Sequence, residues 1–331
     1  MKEKLTADNI TEGVGDMQDL RRFIEEVESN PEYRRIDPAD FIGVTHSFKG
    51  RDEVLFPEGE IKDDISRVDV KMSDIRRKMG DVDGHQKESD MAADFVETMI
   101  PQAIRELGWM GDSVRVINPS LYDDLYRGID MAVQMMPDKV VEDERFVRCM
   151  GFSVDFTISH LEAKKKIFDE MVQIAQGKIP SMKYFMAKIL TKAGPKEIKL
   201  KNFKMPKIII SCTGEVLEEA KEDFLAYEGD KDDLEVKEKA SKNPLRYHFI
   251  REALAQMRFF IKLAGKVDNP RAREVYSANL VAFESAIKDQ EIDEGELEQK
   301  LKNIPSLIGK EFDLDANGGQ FILILKAFAK Q

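Results

Sequence analysis

Four side chains are of the types and spacing that chemistry would need: Glu97, Asp130, Asp155 and Lys165. Asp130 stands in the apolar run GIDMAV and Asp155 in FSVDFT, and both runs read as β-strands. Burying an unpaired carboxylate costs at least several kcal/mol, so acids inside two consecutive strands need a partner. A hard cation is one such partner. Carboxylate oxygens suit Mg2+ or Mn2+, and a nearby ammonium stabilises charge building on a phosphate oxygen or orients water. Together these groups form a minimal kit for metal-assisted phosphodiester hydrolysis.

The elements that must position them follow from periodicity. Residues 90–108 (DMAADFVETMIPQAIRELG) carry Phe95, Val96, Met99, Ile100, Ala103, Ile104 and Leu107 on one wide apolar stripe of a helix, capped by Ser89 or Asp90. Glu97 lies on the edge of that stripe, where it reaches over the rim of a sheet. Pro101 predicts a kink. SVRVI at 113–117 is a short strand, and the turn Asn118-Pro119-Ser120 leads on to GIDMAV. The run FSVDFT is followed by a helix over 161–176 that ends at Gly177. With Phe168 near its apolar centre, that helix places Lys165 inward among Leu161, Val172 and Ala175, with Lys164 beside it. His160 opens the same helix. Residues 183–191 continue as helix, and KMPKIIIS at 204–211 is a strand whose three isoleucines suit a sheet interior. A helix over 215–228 completes an α/β core of the order helix, strand, strand, strand, helix, strand, helix.

This arrangement resembles the PD-(D/E)XK nuclease-like superfamily, whose core runs helix, three strands, helix, strand. The matching elements here are the helix with Glu97, the strand GIDMAV with Asp130, and FSVDFT, in which Asp155 fills the acid position of D/E-x-K. Thr157 occupies the lysine position of that motif. In this superfamily the lysine can migrate to the following helix, which points to Lys165, or to Lys164. The resemblance implies metal-dependent cleavage of DNA or RNA, with Asp130 and Asp155 as metal ligands, Glu97 as an auxiliary ligand, Lys165 as charge stabiliser and Mg2+ or Mn2+ as cofactor. The alternative on the same fold is a non-catalytic binding or scaffold protein, in which Asp130 and Asp155 are structural.

The reading divides the chain into an accessory α+β region (1–87), a nuclease-like α/β core (88–229) and a mostly helical C-terminal region (230–331). In the first, 16–28 is an amphipathic helix, 41–48 and 53–56 are short strands, and 61–79 is helical. The polar run 80–90 reads as a solvated loop, because Asp81, Asp83, His85 and Asp90 follow no metal-ligand spacing. In the last region, helices are expected over 245–263, 270–286 and 294–301, with charges of both signs interleaved on faces that could receive a protein partner. Asp313, Asp315, Asn317 and Gly318 reproduce the opening of an EF-hand loop, but Ile324 stands where its bidentate glutamate belongs, so a turn is expected.

Composition narrows the classes further. A chain of 331 residues with 42% hydrophobic and 34% charged residues can bury a sizeable core. Cys149 and Cys212 are far apart and lack CxxC spacing, which argues against a disulfide framework or thiolate zinc and favours a reducing cytoplasm. No apolar run is long enough for a bilayer. A net charge of −12 argues against a general nucleic-acid coat. The charge is uneven, however: from His160 to Lys207 there are 12 lysines against four acids (Glu162, Asp169, Glu170, Glu197), a basic strip suited to a polyanion such as nucleic acid.

Overall fold

A computed structural model describes residues 17–48, 51–79, 84–136, 149–212 and 215–288, with single positions between 295 and 314. In chain order it begins with helix α1 (Met17–Ser29), hairpin strands β1 (Thr45–Phe48) and β2 (Arg51–Val54), and helices α2 (Glu58–Met79) and α3 (Gly84–Glu106). Next come strand β3 (Val114–Ile117), the short helix α4 (Leu121–Arg127), strands β4 (Met131–Met135) and β5 (Met150–Thr157), and helix α5 (His160–Ala175). A long hairpin follows, β6 (Ser181–Thr191) and β7 (Gly194–Lys204), then strand β8 (Lys207–Ser211). Helices α6 (Glu215–Gly229), α7 (Leu234–Ser241), α8 (Pro244–Lys266) and α9 (Pro270–Lys288) complete the order. The chain is mixed α/β, with a mixed sheet and a helical C-terminal region.

Four strands form the central sheet in the order β3-β4-β5-β8, antiparallel up to β5 and parallel between β5 and β8. The parallel step is the one spanned by α5 and the hairpin, as a parallel pair requires a long crossover. Strand β5 is buried along nearly its whole length because it has a strand on each side and a layer on each face. On one face Phe152 meets Phe283 of α9 with ring centroids 5.1 Å apart, and Phe152 and Phe156 both meet Phe249 of α8 at 6.4 Å. On the other face Ala132, Ile117 and Ile129 pack with Met182, Phe185 and Ala187 of the hairpin. The buried amide of Gln134 pins that hairpin, accepting from the Lys188 N–H at 2.9 Å and donating to its carbonyl at 2.7 Å.

Close approach fixes one glycine. A Cβ at Gly151 would stand 2.5 Å from the Val133 carbonyl oxygen across the β4–β5 pair. Its N–H donates instead to Asn279 Oδ1 of α9 at 2.6 Å.

Several expectations are corrected by this arrangement. Residues 183–191, expected as helix, are the strand β6, and 194–204 pair with it as β7. A strand covered on both faces shows no simple alternation, and Met, Lys, Ala and Leu favour helix locally, so tertiary cover decides. The boundary at 87/88 falls inside α3, which begins at Gly84 rather than after a loop ending at residue 90, and runs through Pro101. Gln86, Lys87 and Glu88 are good helix formers. The side chains of Asp81, Asp83, His85 and Asp90 lie outside the described residues, as do residues 137–148 and the EF-hand-like segment Asp313, Asp315, Asn317, Gly318. The segment 41–48 begins as a 3-10 turn, Pro38–Phe41, before β1 starts.

The described parts of regions 1–87 and 230–331 are layers of the core rather than appendages. Phe41, Phe56 and Ile61 of the first surround Tyr184 of β6. Helices α8 and α9 share one continuous apolar cluster with α3 and the sheet. The outer edge of β8 is closed by the buried Gln256 of α8, which accepts from Ile209 N–H at 2.9 Å and donates to its carbonyl at 2.7 Å. An uncovered strand edge invites mispairing. Gln256→Ala leaves both Ile209 backbone groups buried without partners, at a cost of about 2–4 kcal/mol. Chemical denaturation of the variant is expected to show that loss, and a change under about 0.5 kcal/mol would contradict the assigned role.

Candidate carboxylate and lysine site

The β4–β5 register brings the two strand acids together. Met131 pairs with Val154 in an antiparallel ladder, so Asp130, one residue earlier, stands across from Asp155. The Asp130 N–H donates to the Val154 carbonyl at 2.9 Å. Residues directly opposite place their Cβ atoms about 4.5–5.5 Å apart. Two like charges at that spacing repel, and the surroundings of each acid respond differently.

Asp155 is 4% exposed and neutralised on both oxygens. Lys166 of α5 donates to Oδ1 at 2.6 Å, and Lys207, the first residue of β8, lies 2.8 Å from Oδ2. Lys207 also donates to the Arg127 carbonyl at 3.0 Å and lies 4.0 Å from Glu170 Oε1. Burial works against the Lys166 ammonium, but the charge and hydrogen bond of Asp155, then Glu162 and Asp130, outweigh it and raise its pKa. Gly128, the left-handed cap of α4 (φ 57), lies against this group. A Cβ there would stand 3.0 Å from Asp155 Oδ2 and 3.1 Å from Lys207 Nζ.

Lys166, not Lys165, therefore supplies the helix cation. Helix α5 starts on its Ser159 cap and buries Ala163, Ile167, Met171 and Ile174. That stripe is rotated one position from one centred on Phe168. Lys165 is exposed, Leu161 is 80% exposed, and Lys166 borders the buried stripe. Thr157, at the motif's lysine position, serves the turn into α5: its hydroxyl accepts from Ser159 N–H at 3.1 Å and donates to Glu162 Oε2 at 3.3 Å.

Asp130 faces a different environment. Its Oδ2 accepts from Phe156 N–H at 2.5 Å, and its side chain lines a cleft of about 150 Å3 with Glu97, Asp94, Arg35 and Asn118. Burial first, then the Asp155 charge, push Asp130 up to about 7. Burial first, then the Asp130 charge, push Glu97 up to about 9. Among the described residues no hydrogen bond or ion pair reaches the Glu97 carboxylate. Asp124 adds to the repulsion, and its own partner at 2.6 Å is Arg35 on the cleft wall. Burial and mutual repulsion thus both favour the protonated form of the two cleft carboxyls.

Glu97, Asp130 and Asp155 are all brought to one place. Among the described residues, no group of three or more His, Cys, Asp or Glu side chains is arranged to hold a metal ion. Asp155, expected as a ligand, has both oxygens occupied by ammonium groups. Glu97 and Asp130 remain, an uncompensated pair. Mg2+ characteristically takes one or two carboxylates and completes its shell with water and substrate phosphate, so this pair fits such an ion in chemistry and number.

The basic strip does not form one open surface. Lys183 binds Glu60 at 2.7 Å and also Asp64, Lys201 binds Glu60 at 2.5 Å, and Lys199 donates to the Asp40 carbonyl. These lysines fasten the hairpin to the N-terminal region. Lys207, at the end of the strip, is the partner of Asp155.

Lys166, Lys207, Asp124, Arg35 and Asn118 are site residues that sequence reasoning missed. For Lys166 a signal existed: Glu162 and Glu170 one helical turn to either side mark a polar border beside the Ala163-Ile167-Met171-Ile174 stripe. Nothing local marks Lys207, Arg35 or Asn118, because only sheet register and the fold of the N-terminal segment bring them close.

The carboxyl pair makes stability pH-dependent. Both folded values lie above their ordinary ones (4.5 for Glu97, 3.8 for Asp130), so the folded chain binds more protons than the unfolded chain between about 4 and about 9, and stability falls as pH rises through that window. Glu97→Gln removes the larger part. Thermal melts at about pH 5 and about pH 8.5 should show the variant gaining at least about 1–2 °C over the parent at the higher pH, the equivalent of about 1 kcal/mol for a chain of this size. An unchanged difference between the two pH values would contradict the assignment.

Among the described residues, no helix is long and apolar enough to cross a membrane. Comparison with known proteins finds no matching family model, no matching curated protein and no matching solved structure, so the site rests on its own geometry.

Proposed function

We propose that this chain is a metal-dependent nuclease of the PD-(D/E)XK-like kind, hydrolysing nucleic-acid phosphodiesters with Mg2+ or Mn2+ at the Glu97–Asp130 cleft. The observation that carries the reading is the 2.6 Å contact between Lys166 and Asp155 directly across from Asp130, which joins two strand acids to a lysine of the following helix. The bound ion would polarise the scissile phosphate and lower the pKa of an attacking water. Glu97 and Asp130 would hold it. The Lys166 ammonium, kept charged and aimed by Asp155, would stabilise the negative charge that develops on the phosphate oxygens. Arg35, on the cleft wall, would orient the phosphate. Two free thiols, Cys149 and Cys212, suit a reducing cytoplasm.

The double clamp on Asp155 favours a second reading, a non-catalytic binding or scaffold protein on the same fold with the C-terminal helices as a possible partner surface. One set of variants separates the two. Incubated with plasmid and single-stranded DNA or RNA in Mg2+ or Mn2+, the wild type should cleave, Asp130→Asn and Lys166→Met should lose at least about 100-fold, and Lys165→Ala should match the wild type. A wild type that cleaves nothing, or an unaffected Lys166→Met, overturns the nuclease reading. In the scaffold reading Asp155→Ala costs about 3–5 kcal/mol of stability and no activity is found to lose.

A further inference from the structure

A separate cleft of about 570 Å3 lies where the end of α5 meets the starts of β6, β8 and α9, and it shares no lining residue with the Glu97–Asp130 cleft. Five cations line it, and they are of two kinds. Arg127 and Lys207 are used by the fold. Arg127 donates to the Ser181 carbonyl and hydroxyl at 2.5 Å and to Asn202 Oδ1 at 2.9 Å, and lies 3.4 Å from Asp123, while Lys207 is held by Asp155. Lys178, Lys204 and Arg271 have no ion pair among the described residues. Lys204 reaches only the Ile179 carbonyl, at 3.5 Å. Burial, then the like charges of Arg127 and Arg271, hold its ammonium below the usual lysine range, so the charges acting on it are positive ones.

Two acids share the wall, Asp169 and Glu170. Asp169 is exposed and pairs with none of the three open cations. Glu170 has Oε1 4.0 Å from Lys207, and burial pushes it up to about 7, so at neutral pH it carries only part of a charge. Three cations against one full and one partial acid leave an excess between one and two charges. A phosphate monoester carries about that charge at neutral pH, and its three free oxygens accept from three donors. A carboxylate offers two oxygens and one charge.

The rest of the lining suits hydroxyl groups rather than a nucleobase. Glu170 Oε2 is buried without a hydrogen-bond partner, an acceptor that a hydroxyl entering the cleft would satisfy, and Gln173 stands one helical turn further along α5. Tyr126, the one aromatic ring in the lining, is already engaged: it stacks on Tyr122 with centroids 5.1 Å apart, and the Lys71 ammonium lies 4.6 Å from its centroid. The volume is that of a small-molecule site. We propose that this cleft binds a sugar phosphate, with Lys178, Lys204 and Arg271 on the phosphate and Glu170 and Gln173 on the sugar hydroxyls. The assignment is independent of the nuclease reading, since no residue of the carboxylate cleft takes part.

The test is isothermal titration calorimetry of the full chain without added metal, using glucose 6-phosphate, glucose, inorganic phosphate and AMP as separate probes. Glucose 6-phosphate should bind with a Kd of about 1 mM or tighter, at least about tenfold tighter than inorganic phosphate, and glucose should show no saturable binding. Lys204→Ala and Arg271→Ala should each weaken glucose 6-phosphate at least about tenfold. Arg271→Glu, at an exposed position, should weaken it further while leaving the melting temperature of the free protein unchanged. Gln173→Ala should weaken glucose 6-phosphate and leave inorganic phosphate as it was. Lys165→Ala, which removes an exposed lysine of α5 outside the cleft, should bind like the wild type. No saturable binding of any phosphate probe, cation variants of wild-type affinity, or an equal loss in Lys165→Ala would each overturn the site. Inorganic phosphate binding as tightly as glucose 6-phosphate, or AMP binding more tightly than either, would overturn the assigned ligand class.

Discussion

Asp155 is a charged residue in the middle of a strand with almost no contact with water, and the architecture around it is what makes that tolerable. Lys166 comes from the crossover helix, Lys207 from the strand that the crossover delivers, and the Phe156 N–H next to Asp155 is used to hold Asp130. Removing one partner of a buried pair is far more costly than the pair's net contribution to stability. The β5-α5-hairpin-β8 connection therefore depends on the three charges being present together. Gly128 belongs to the same constraint, since any side chain there would press on Asp155 and Lys207.

The contrast with Glu97 and Asp130 is what makes the region resemble a working site. A purely structural acid is usually satisfied by its neighbours, as Asp123 is: it accepts from the N–H groups of Lys183 and Tyr184 and from the Ser120 hydroxyl. Glu97 has no such neighbour among the described residues, and Asp130 has one N–H and a facing carboxylate. The fold spends compensating charge on Asp155 and withholds it from the pair lining the cleft, which leaves that pair receptive to a proton or a cation.

Around this centre the layers serve to exclude water and to fix register. Helices α8 and α9 supply Phe249, Phe283, Gln256 and Asn279 to one face and edge of the sheet, and the β6–β7 hairpin covers the other face. The hairpin is in turn fastened by Lys183 and Lys201 to Glu60 and Asp64 of α2, a partly buried charge cluster that neutralises two lysines of this segment. A strip that is basic in sequence is thus partly neutralised in space.

The α/β class, the three core strands around Asp130, Asp155 and the isoleucine run, and the helices before and after them were legible in the residue order alone, because an acid in an otherwise apolar β-like stretch and a wide apolar helical stripe are local signals. It also placed Glu97 beside the strand acids. The rest came from long-range packing. The phase of α5, and with it Lys166 over Lys165, followed from which stripe met the sheet, a choice between neighbouring positions that Phe168 and Ile167 made ambiguous. Strand β6 was invisible because a strand covered on both faces loses its alternation. Lys207, Arg35 and Asn118 reached the site through register and chain path, which act over long sequence separations and leave no trace in the spacing of neighbouring residues.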